Sequence, residues 1–381
     1  MFHRWHAGSD LSIPRYEVAR RLNVARSAVS RSDRRARPDE EWLADIKVAW
    51  GLLKPAISQR RKNVPLAFRR TWSLVFLAGV VWTVTFGPAW AKDDFPAKPI
   101  TLIVPYDAGG STDQSTRALV NSMGKLPQPV NIVNKPGAGG AVGYKVLQPS
   151  KPDGYTLVTT YTTIVTHKLL GNLPFNHRDL EMIIGFNYDA GALAVHGTSR
   201  WKTVAEFMEY AKKNKAKVST AVPGGIWNIA CQAIMRAYGA EFDLITSGGG
   251  TYQPAQELAG GHVDALVGNF AELVPFIKSG DIRVLAVTAP KRMELFPEIP
   301  TFEELGYPKV TTIGFRAIAA PKGTPKAEQK VLHDAFKKAF EDPKYNEFMK
   351  ANAMTPVYKS SEDTIKQYDE LEKAVEQTLK K

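Results

Sequence analysis

The sequence is poor in cysteine, because Cys231 is the only one among its 381 residues. A single cysteine excludes an intrachain disulfide and any metal site built from several thiolates. Cys231 lies in an apolar, helix-like run (residues 229–234), which predicts a buried structural thiol and not a nucleophile.

The chain also lacks the common signatures of catalysis. Beyond residue 91, its histidines show no metal-ligand spacing, and the whole chain has neither a G-x-S-x-G elbow nor the Lys-Ser/Thr of a phosphate-binding loop. The glycines at 137–140 do not continue into a dinucleotide-binding G-x-G-x-x-G pattern. We therefore expect a protein that is not an enzyme and that uses neither a metal nor a cofactor.

The main part of the chain has little net positive charge, although the formal net charge of the whole is +12. Residues 1–91 hold 16 Lys+Arg against 7 Asp+Glu, whereas residues 92–381 hold 34 against 31. The basic excess therefore belongs to the first 91 residues. Nothing in the main domain's charge predicts a nucleic-acid surface.

A charge-free apolar segment spans residues 71–88 and follows Arg69 and Arg70. It leads into Ala89-Trp90-Ala91, so the segment has the form of a secretory signal cleaved after Ala91. Eighteen residues are also near the lower limit for a bilayer span, so an uncleaved anchor is the alternative. In both cases the main domain is exported to the periplasm.

Residues 1–70 are too long for the leading part of an ordinary signal, and two explanations stay open. Translation begins further along the chain, near Val64 or Leu66, with an alternative initiation codon. Otherwise the segment is a cytoplasmic module, because residues 16–31 have the spacing of a helix-turn-helix with arginines placed for phosphates.

The most informative stretch begins at residue 100. Ile100–Val104 is an apolar run typical of a buried strand, a glycine turn follows at 108–110, and a helix begins at Ser111. Ser111 and Gln114 have the spacing of a capping box, and Ala118, Leu119, Val120 and Met123 form an apolar face. A strand, a glycine turn and a helix start together predict an anion site, because free amides and the positive helix dipole meet there.

The same arrangement recurs along the chain. Strand 130–133 is followed by the glycines of 134–140, strand 217–222 by Pro223-Gly224-Gly225, and strand 242–246 by residues 247–251. Polar or aromatic side chains stand at the ends of other strands or beside these turns. They are Tyr161, Thr162, Thr163, Trp227, Asn228 and Asn269. For the threonines and Trp227, ligand contact and simple packing remain alternatives.

Strands alternate with helices throughout residues 92–381, as an α/β fold requires. We expect two doubly wound lobes joined by a hinge of crossing strands, with residues 92–194 and 315–381 in lobe 1 and 195–314 in lobe 2. Residues 191–196 and 315–320 are the candidate crossing strands. Thr203 and Glu206 predict a capping box on a helix of lobe 2.

Three motifs in order carry a family resemblance: VPYDAGGSTDQSTR, NKPGAGGAVG and PDGYTL. They resemble the Bug family, the periplasmic receptors of tripartite tricarboxylate transporters, and the resemblance covers roughly residues 95–381. It implies a type II periplasmic-binding-protein fold that closes over a small organic acid. It also implies membrane transporter components as partners and a monomeric receptor.

Carried over by motif, the resemblance implies ligand contacts from both lobes. Those of lobe 1 are Tyr106, Gly109, Gly110, Ser111, Thr112 and Asp113, and those of lobe 2 are Gly224, Gly225 and Asn228. A second carboxylate beside a bound acid is costly unless Asp113 caps the helix or accepts from an ammonium or hydroxyl group of the ligand. Of these two alternatives we expect the cap.

Lobe 2 departs from the family pattern in the loop at Trp227 and, separately, at Gly268 before Asn269, which leaves the identity of the acid open. Two rival functions remain. One is a membrane-anchored one-component regulator that reads DNA with residues 16–31 and senses a carboxylate with the main domain. The other is an isomerase or hydrolase on the same fold.

Overall fold

The computed structural model describes residues 95–124, 126–246 and 250–379. The predicted signal segment, its cleavage site and the helix-turn-helix of residues 16–31 lie outside these residues. Residues 1–91 and Lys92–Lys381 are separate units of the chain, and the fold described below is that of the second unit. Within the described ranges no helix combines the length and apolarity needed to cross a membrane.

Ten strands form one sheet in the order β2-β1-β3-β9-β4-β7-β5-β6, and β8 and β10 also pair with β4. The strands are β1 (Ile100–Val104), β2 (Val130–Asn134), β3 (Thr156–Tyr161), β4 (Leu180–His196), β5 (Lys217–Thr220), β6 (Asp243–Thr246), β7 (Ala265–Asn269), β8 (Ile282–Val287), β9 (Ile313–Pro321) and β10 (Thr355–Lys359). The predicted strands are thus present, although β4 begins eleven residues before the expected Gly191 and β5 ends at Thr220.

The helices of the described ranges are α1 (Ser111–Asn121), α2 (Ala141–Leu147), α3 (Thr163–Leu169), α4 (Val204–Asn214), α5 (Ile226–Tyr238), α6 (Tyr252–Ala259), α7 (Phe270–Ser279), α8 (Lys326–Glu341), α9 (Pro343–Ala351) and α10 (Ser361–Leu379). Single 3-10 turns lie at Ala138–Gly140, His177–Asp179 and Pro308–Val310. Because α1 ends at Asn121, Met123 lies beyond the helix to which the sequence assigned it.

Parallel pairing divides the sheet into two strand groups. β1 pairs in parallel with β2 and β3, and β5 pairs in parallel with β6 and β7. Between them, β9 and β4 run antiparallel to each other and to the neighbouring group. The two strand groups therefore point in opposite directions, and the sheet must curl for their carboxyl ends to face one cavity.

The seventeen-residue strand β4 joins the two groups. Its first part, Leu180–Ala190, pairs with β9, and its last part, Gly191–Val195, pairs with β7. Nearly all of its residues are buried, as expected for a strand covered on both faces. The predicted crossing strands are therefore central to the sheet, and β4 and β9 are the chain's passages between its halves.

The core consists of separate apolar clusters packed on the two strand groups. Ile100, Leu102 and Phe336 belong to a cluster on the first group, and Phe207, Val218 and Cys231 belong to one on the second. Cys231 is fully buried, and burial raises the pKa of its thiol. The prediction of an inert structural thiol is consistent with this environment.

Candidate functional site

A cavity of about 830 Å³ lies where both strand groups end. Ten of the fourteen residues predicted to contact a ligand line it: Tyr106, Gly109, Gly110, Ser111, Thr112, Tyr161, Thr163, Gly225, Trp227 and Asn269. The other four, Asp113, Thr162, Gly224 and Asn228, do not line it. The cavity also has charged lining residues that the sequence did not single out: Asp107, Glu272, Lys278 and Arg316.

Helix α1 begins at the cavity without a side-chain cap. Its N-cap is Gly110, and Gly109 before it has φ +83°, a conformation that favours glycine. The predicted capping box of Ser111 and Gln114 is wrong, because Ser111 is the first helical residue and its side chain points to Glu272. Gln114 instead donates to the carbonyl of Gly109 at 2.6 Å. Gln114 thus stabilises the turn, and Gly109 and Gly110 line the cavity.

Asp113 stabilises this turn from inside the helix. Its carboxylate accepts from the Gly109 amide at 2.9 Å and pairs with Arg117, and Asn134 donates to it as well. Burial alone would raise the pKa of Asp113, but these hydrogen bonds outweigh burial and lower the pKa below its ordinary value. The expected cap is thus a clamp on the preceding glycine turn and not an N-cap of α1.

Arg316 on β9 lies beneath the start of α1, with only 1% of its surface exposed. Its guanidinium pairs with Asp189 on β4 at 2.5 Å and donates to Asn187, to Thr112 Oγ1 at 2.9 Å and to Ser111 Oγ at 2.7 Å. Burial opposes its charge, but the carboxylate of Asp189 outweighs burial and raises the pKa of Arg316. The two crossing strands thereby hold the first turn of α1 through a buried ion pair.

Ser111 is the hub of this network, because its hydroxyl contacts three side chains. It accepts from Arg316 and from Asn269 Nδ2 at 3.2 Å, and it donates to Glu272 Oε1 at 2.7 Å. A hydroxyl has one hydrogen and two lone pairs, so all of its hydrogen-bonding capacity is used. Asn269 caps α7 through its Oδ1 and also donates to Asp189 at 2.8 Å.

A second group of polar atoms surrounds the 3-10 turn at Ala138–Gly140. Tyr106 shares a 2.5 Å hydrogen bond with Thr163 Oγ1 and donates to the carbonyl of Gly139, to which His167 Nε2 also donates at 2.9 Å. Burial lowers the pKa of His167, only partly offset by that carbonyl. Thr162, by contrast, points away from the cavity and accepts from the amide of Phe315.

Helix α5 supplies the cavity wall on the side of the second strand group. Its N-cap Gly225 makes no side-chain cap, and Trp227, 5% exposed, packs against Gly191. Asn228 is turned inward, where its Oδ1 accepts from Gln232 at 2.9 Å. Gly224 lies beside the side chain of Leu170 at the edge of the cavity. Trp227 therefore packs and also lines the cavity, and its contact with a ligand stays a prediction.

Three functional candidates were missed from the sequence: Asp189, Arg316 and Glu272. The first two lie within apolar strands, where a buried charge gives no periodic signal. Glu272 stands three residues after Asn269, which has the spacing of a capping box. That signal was available, although the side chain of Glu272 turns to other amides.

One group of residues could in principle hold a metal, although the sequence spacing did not indicate it. His177, Asp369 and Glu372 place their ligand atoms within 4.8 Å of one another. The guanidinium of Arg178 already pairs with both carboxylates. The two carboxylates of this group therefore already have a cation as their partner.

Comparisons with known proteins agree with this architecture. A protein described as lying in the gbd 5′ region of Cupriavidus necator is 37% identical over 281 residues, which is 72% of this chain and 85% of that protein. A TctC solute-binding protein from Polaromonas aligns with a TM-score of 0.60 at 31% identity, covering 74% of this chain and 99% of the other. MatC from Rhodopseudomonas palustris with bound malate aligns with a TM-score of 0.67 at 22% identity, covering 74% of this chain and 98% of the other.

These neighbours confirm the predicted two-lobe, type II binding-protein fold, with β4 and β9 crossing between α/β halves. The profile of the tripartite tricarboxylate transporter family receptor matches residues 116–381. That match spans most of the described fold, from α1 to the C-terminus, and confirms the resemblance found in the motifs. The chain therefore belongs to the tripartite tricarboxylate transporter receptor family.

Proposed function

We propose that this receptor captures a small organic carboxylate in the cavity between its two halves. The main support for this proposal is the convergence on the cavity of two helix starts whose N-cap glycines supply no side-chain cap. Helix α1 begins at Gly110 and helix α5 at Gly225, and both glycines line the cavity. The first amides of a helix and its dipole favour an anion, so two such helix starts facing one cavity favour a carboxylate.

The composition of the cavity supports the same ligand class. Its volume of about 830 Å³ fits within the range typical of small-molecule sites, with room for bridging waters. Tyr106 and Thr163 supply hydroxyls, and Trp227 and Tyr161 supply apolar walls. The guanidinium of Arg316 lies in the wall, and the hydrogen bonds described above use four of its five N–H groups.

Transport would then follow from closure of the lobes. We propose residues 92–194 and 315–381 as lobe 1 and residues 195–314 as lobe 2, with β4 and β9 as the hinge. A ligand that contacts both α5 and the α1 side of the cavity favours the closed state, because only that state brings the two sides to one ligand. The closed receptor would be the form that the membrane components of a tripartite transporter recognise, as a monomer.

The proposed location is the periplasm, reached after cleavage following Ala91. Intact mass and N-terminal sequencing of the protein recovered from each compartment of a bacterial host test this. A soluble species beginning at Lys92 supports the receptor, whereas a membrane-bound species that retains residues 16–31 supports the anchored regulator.

Calorimetric titration of the exported protein tests ligand capture. We expect at least one three- to six-carbon mono- or dicarboxylate to bind with a dissociation constant in the micromolar range or below, and its neutral amide to bind far more weakly. Mass spectrometry of the recovered ligand should show it unchanged, as expected of a receptor without catalysis. Equal affinity for the acid and its amide would contradict the carboxylate proposal.

A further inference from the structure

The carboxylate of Glu272 occupies a junction at which an anion would otherwise bind. Its Oε1 accepts from the Ser111 amide at 3.2 Å and from Ser111 Oγ at 2.7 Å, and its Oε2 accepts from the Thr251 amide at 2.7 Å. Ser111 opens α1, and Thr251 is the N-cap of α6. The side chain thus joins helix starts from both strand groups with a negative charge.

This arrangement differs from the start of α5 on the same cavity. There, Gly225 makes no side-chain cap and Trp227 stands beside the helix start. A ligand carboxylate that approaches α5 meets a helix dipole, whereas one that approaches α1 near Ser111 also meets the charge of Glu272. The two ends of the cavity therefore present opposite preferences to an incoming ligand.

The junction still has room for a donor. Two carboxylate oxygens offer about four acceptor positions, and the described contacts use three of them. Glu272 lines the cavity and is only partly buried, so the remaining position is open to a ligand. The hydroxyl of Ser111 cannot donate to a ligand carboxylate at this junction, since its only hydrogen already goes to Glu272.

Resting on the function proposed above, we infer that Glu272 is a specificity-determining residue. It selects acids that carry a hydrogen-bond donor, above all an ammonium group, over acids that carry only carboxylates. The carboxylate of such a ligand lies toward α5, and its donor lies on Glu272. The ligand class is therefore the amino-substituted carboxylic acids, followed by the hydroxy acids.

The test uses acids of equal carbon skeleton that differ in one group. The four-carbon series is aspartate, malate and succinate. The three-carbon series (alanine, lactate, propionate) and the five-carbon series (glutamate, 2-hydroxyglutarate, glutarate) cover other ligand lengths. Each is titrated calorimetrically into the exported protein and into Glu272→Gln and Glu272→Ala. Glu209→Gln, on the exposed face of α4, is the matched control.

In the series that binds, we expect the affinity for the amino acid to be about tenfold or more higher than the affinity for the unsubstituted acid, because hydrogen bonds to charged groups are strong. In both Glu272 variants the two affinities should become similar, whereas Glu209→Gln should keep their ratio as in the wild type. Glu272→Gln retains an acceptor oxygen and the shape of the side chain, so unchanged ligand-free melting of this variant excludes misfolding as the cause.

The contrary outcomes are distinct. An unchanged ratio in both Glu272 variants overturns the inference but leaves carboxylate capture intact. An equal gain for all three acids in Glu272→Ala shows that Glu272 blocks carboxylates in general, and it also overturns donor selection. If no acid binds to the wild type or to the variants, carboxylate capture itself fails and the inference fails with it.

Discussion

Two helices of the second half begin in opposite ways. Helix α4 starts at a capping box in which Thr203 accepts from the Glu206 amide and Glu206 reaches back to the amide of Thr203. Helix α5 starts at Gly225 with no side-chain cap, at the wall of the cavity. The helix that serves only the fold satisfies its own amides, whereas the helix at the cavity leaves its first amides for something else.

Helix α1 is intermediate between these two. Its own residues supply no cap, as in α5, but Glu272 from α7 reaches one of its amides. Among these three helices, a cap from neighbouring residues marks the start that lies away from the cavity, and the two starts at the cavity have no such cap. Substitutions at these helix starts, and at the groups that hold them, test this difference.

Removal of the cation beneath α1 should cause the greatest loss. Arg316→Met leaves Asp189 buried without its partner, and we expect the free energy of unfolding to fall by about 3–5 kcal/mol. Urea unfolding measures it. The control is Arg117→Met, whose pair with Asp113 is half-exposed and should cost about 1 kcal/mol or less. Equal losses in the two variants would mean that the buried pair has no special role.

An added cap on α5 should convert it into a helix like α4. Gly225 has φ −65° and ψ 151°, which a side chain tolerates, and in Gly225→Asp the new carboxylate can accept from the first amides. We expect affinity for the captured acid to fall about tenfold or more, measured by calorimetry, because the added charge repels the ligand where the helix dipole had attracted it.

Gly225→Ala is the control for that change, since any Cβ at this position lies 3.0 Å from the Val222 carbonyl and has to displace it slightly. The alanine variant should lose less affinity than the aspartate variant. Matching losses would attribute the whole effect to crowding and would remove the evidence that the amides of α5 bind the acid.

Acid pH should reduce the stability of the protein through His167, which donates to the turn at Ala138–Gly140 and not to a helix start. Because burial lowers the pKa of His167 in the folded state, the unfolded chain binds the proton first as pH falls below about 6.5. Stability is therefore full above that pH and declines below it, by at most about 1.4 kcal/mol per pH unit for one group. His167→Gln should flatten the decline between pH 7 and 5 in urea titrations.

His262→Gln, in an exposed turn, is the matched histidine replacement. It should leave the pH slope unchanged. If the free energy of unfolding of His167→Gln still declines with falling pH, another group causes the decline. His177, whose pKa burial also lowers, is the next residue to replace.

The smallest effect is expected at the self-capped helix. Thr203→Ala should reduce the free energy of unfolding by about 1 kcal/mol and leave ligand affinity unchanged, because the cap of α4 lies away from the cavity. Thermal unfolding and calorimetry on the same preparation check both halves of the prediction. A loss of affinity without a loss of stability would contradict the division between structural and binding helix starts.

The local elements and the family can be predicted from short stretches of sequence. Strand-like runs followed by glycine turns predict β1, β2 and the start of α1, and the spacing of Thr203 and Glu206 predicts a capping box. The order of three motifs identifies the receptor family. These features depend on residues within a few positions of one another. Their physical causes, strand burial and helix capping, act at that same range.

Which charged side chain bonds to which group of the helix start depends on the packing of distant segments. Local spacing would assign Glu272 to a capping box with Asn269, but its carboxylate reaches Ser111, 161 positions earlier in the chain. Arg316 likewise meets Ser111 across 205 positions, through strands that look uniformly apolar in sequence. The curl of the sheet brings these groups together. The arrangement of charge in the cavity therefore follows from the packing of distant segments and not from any local pattern.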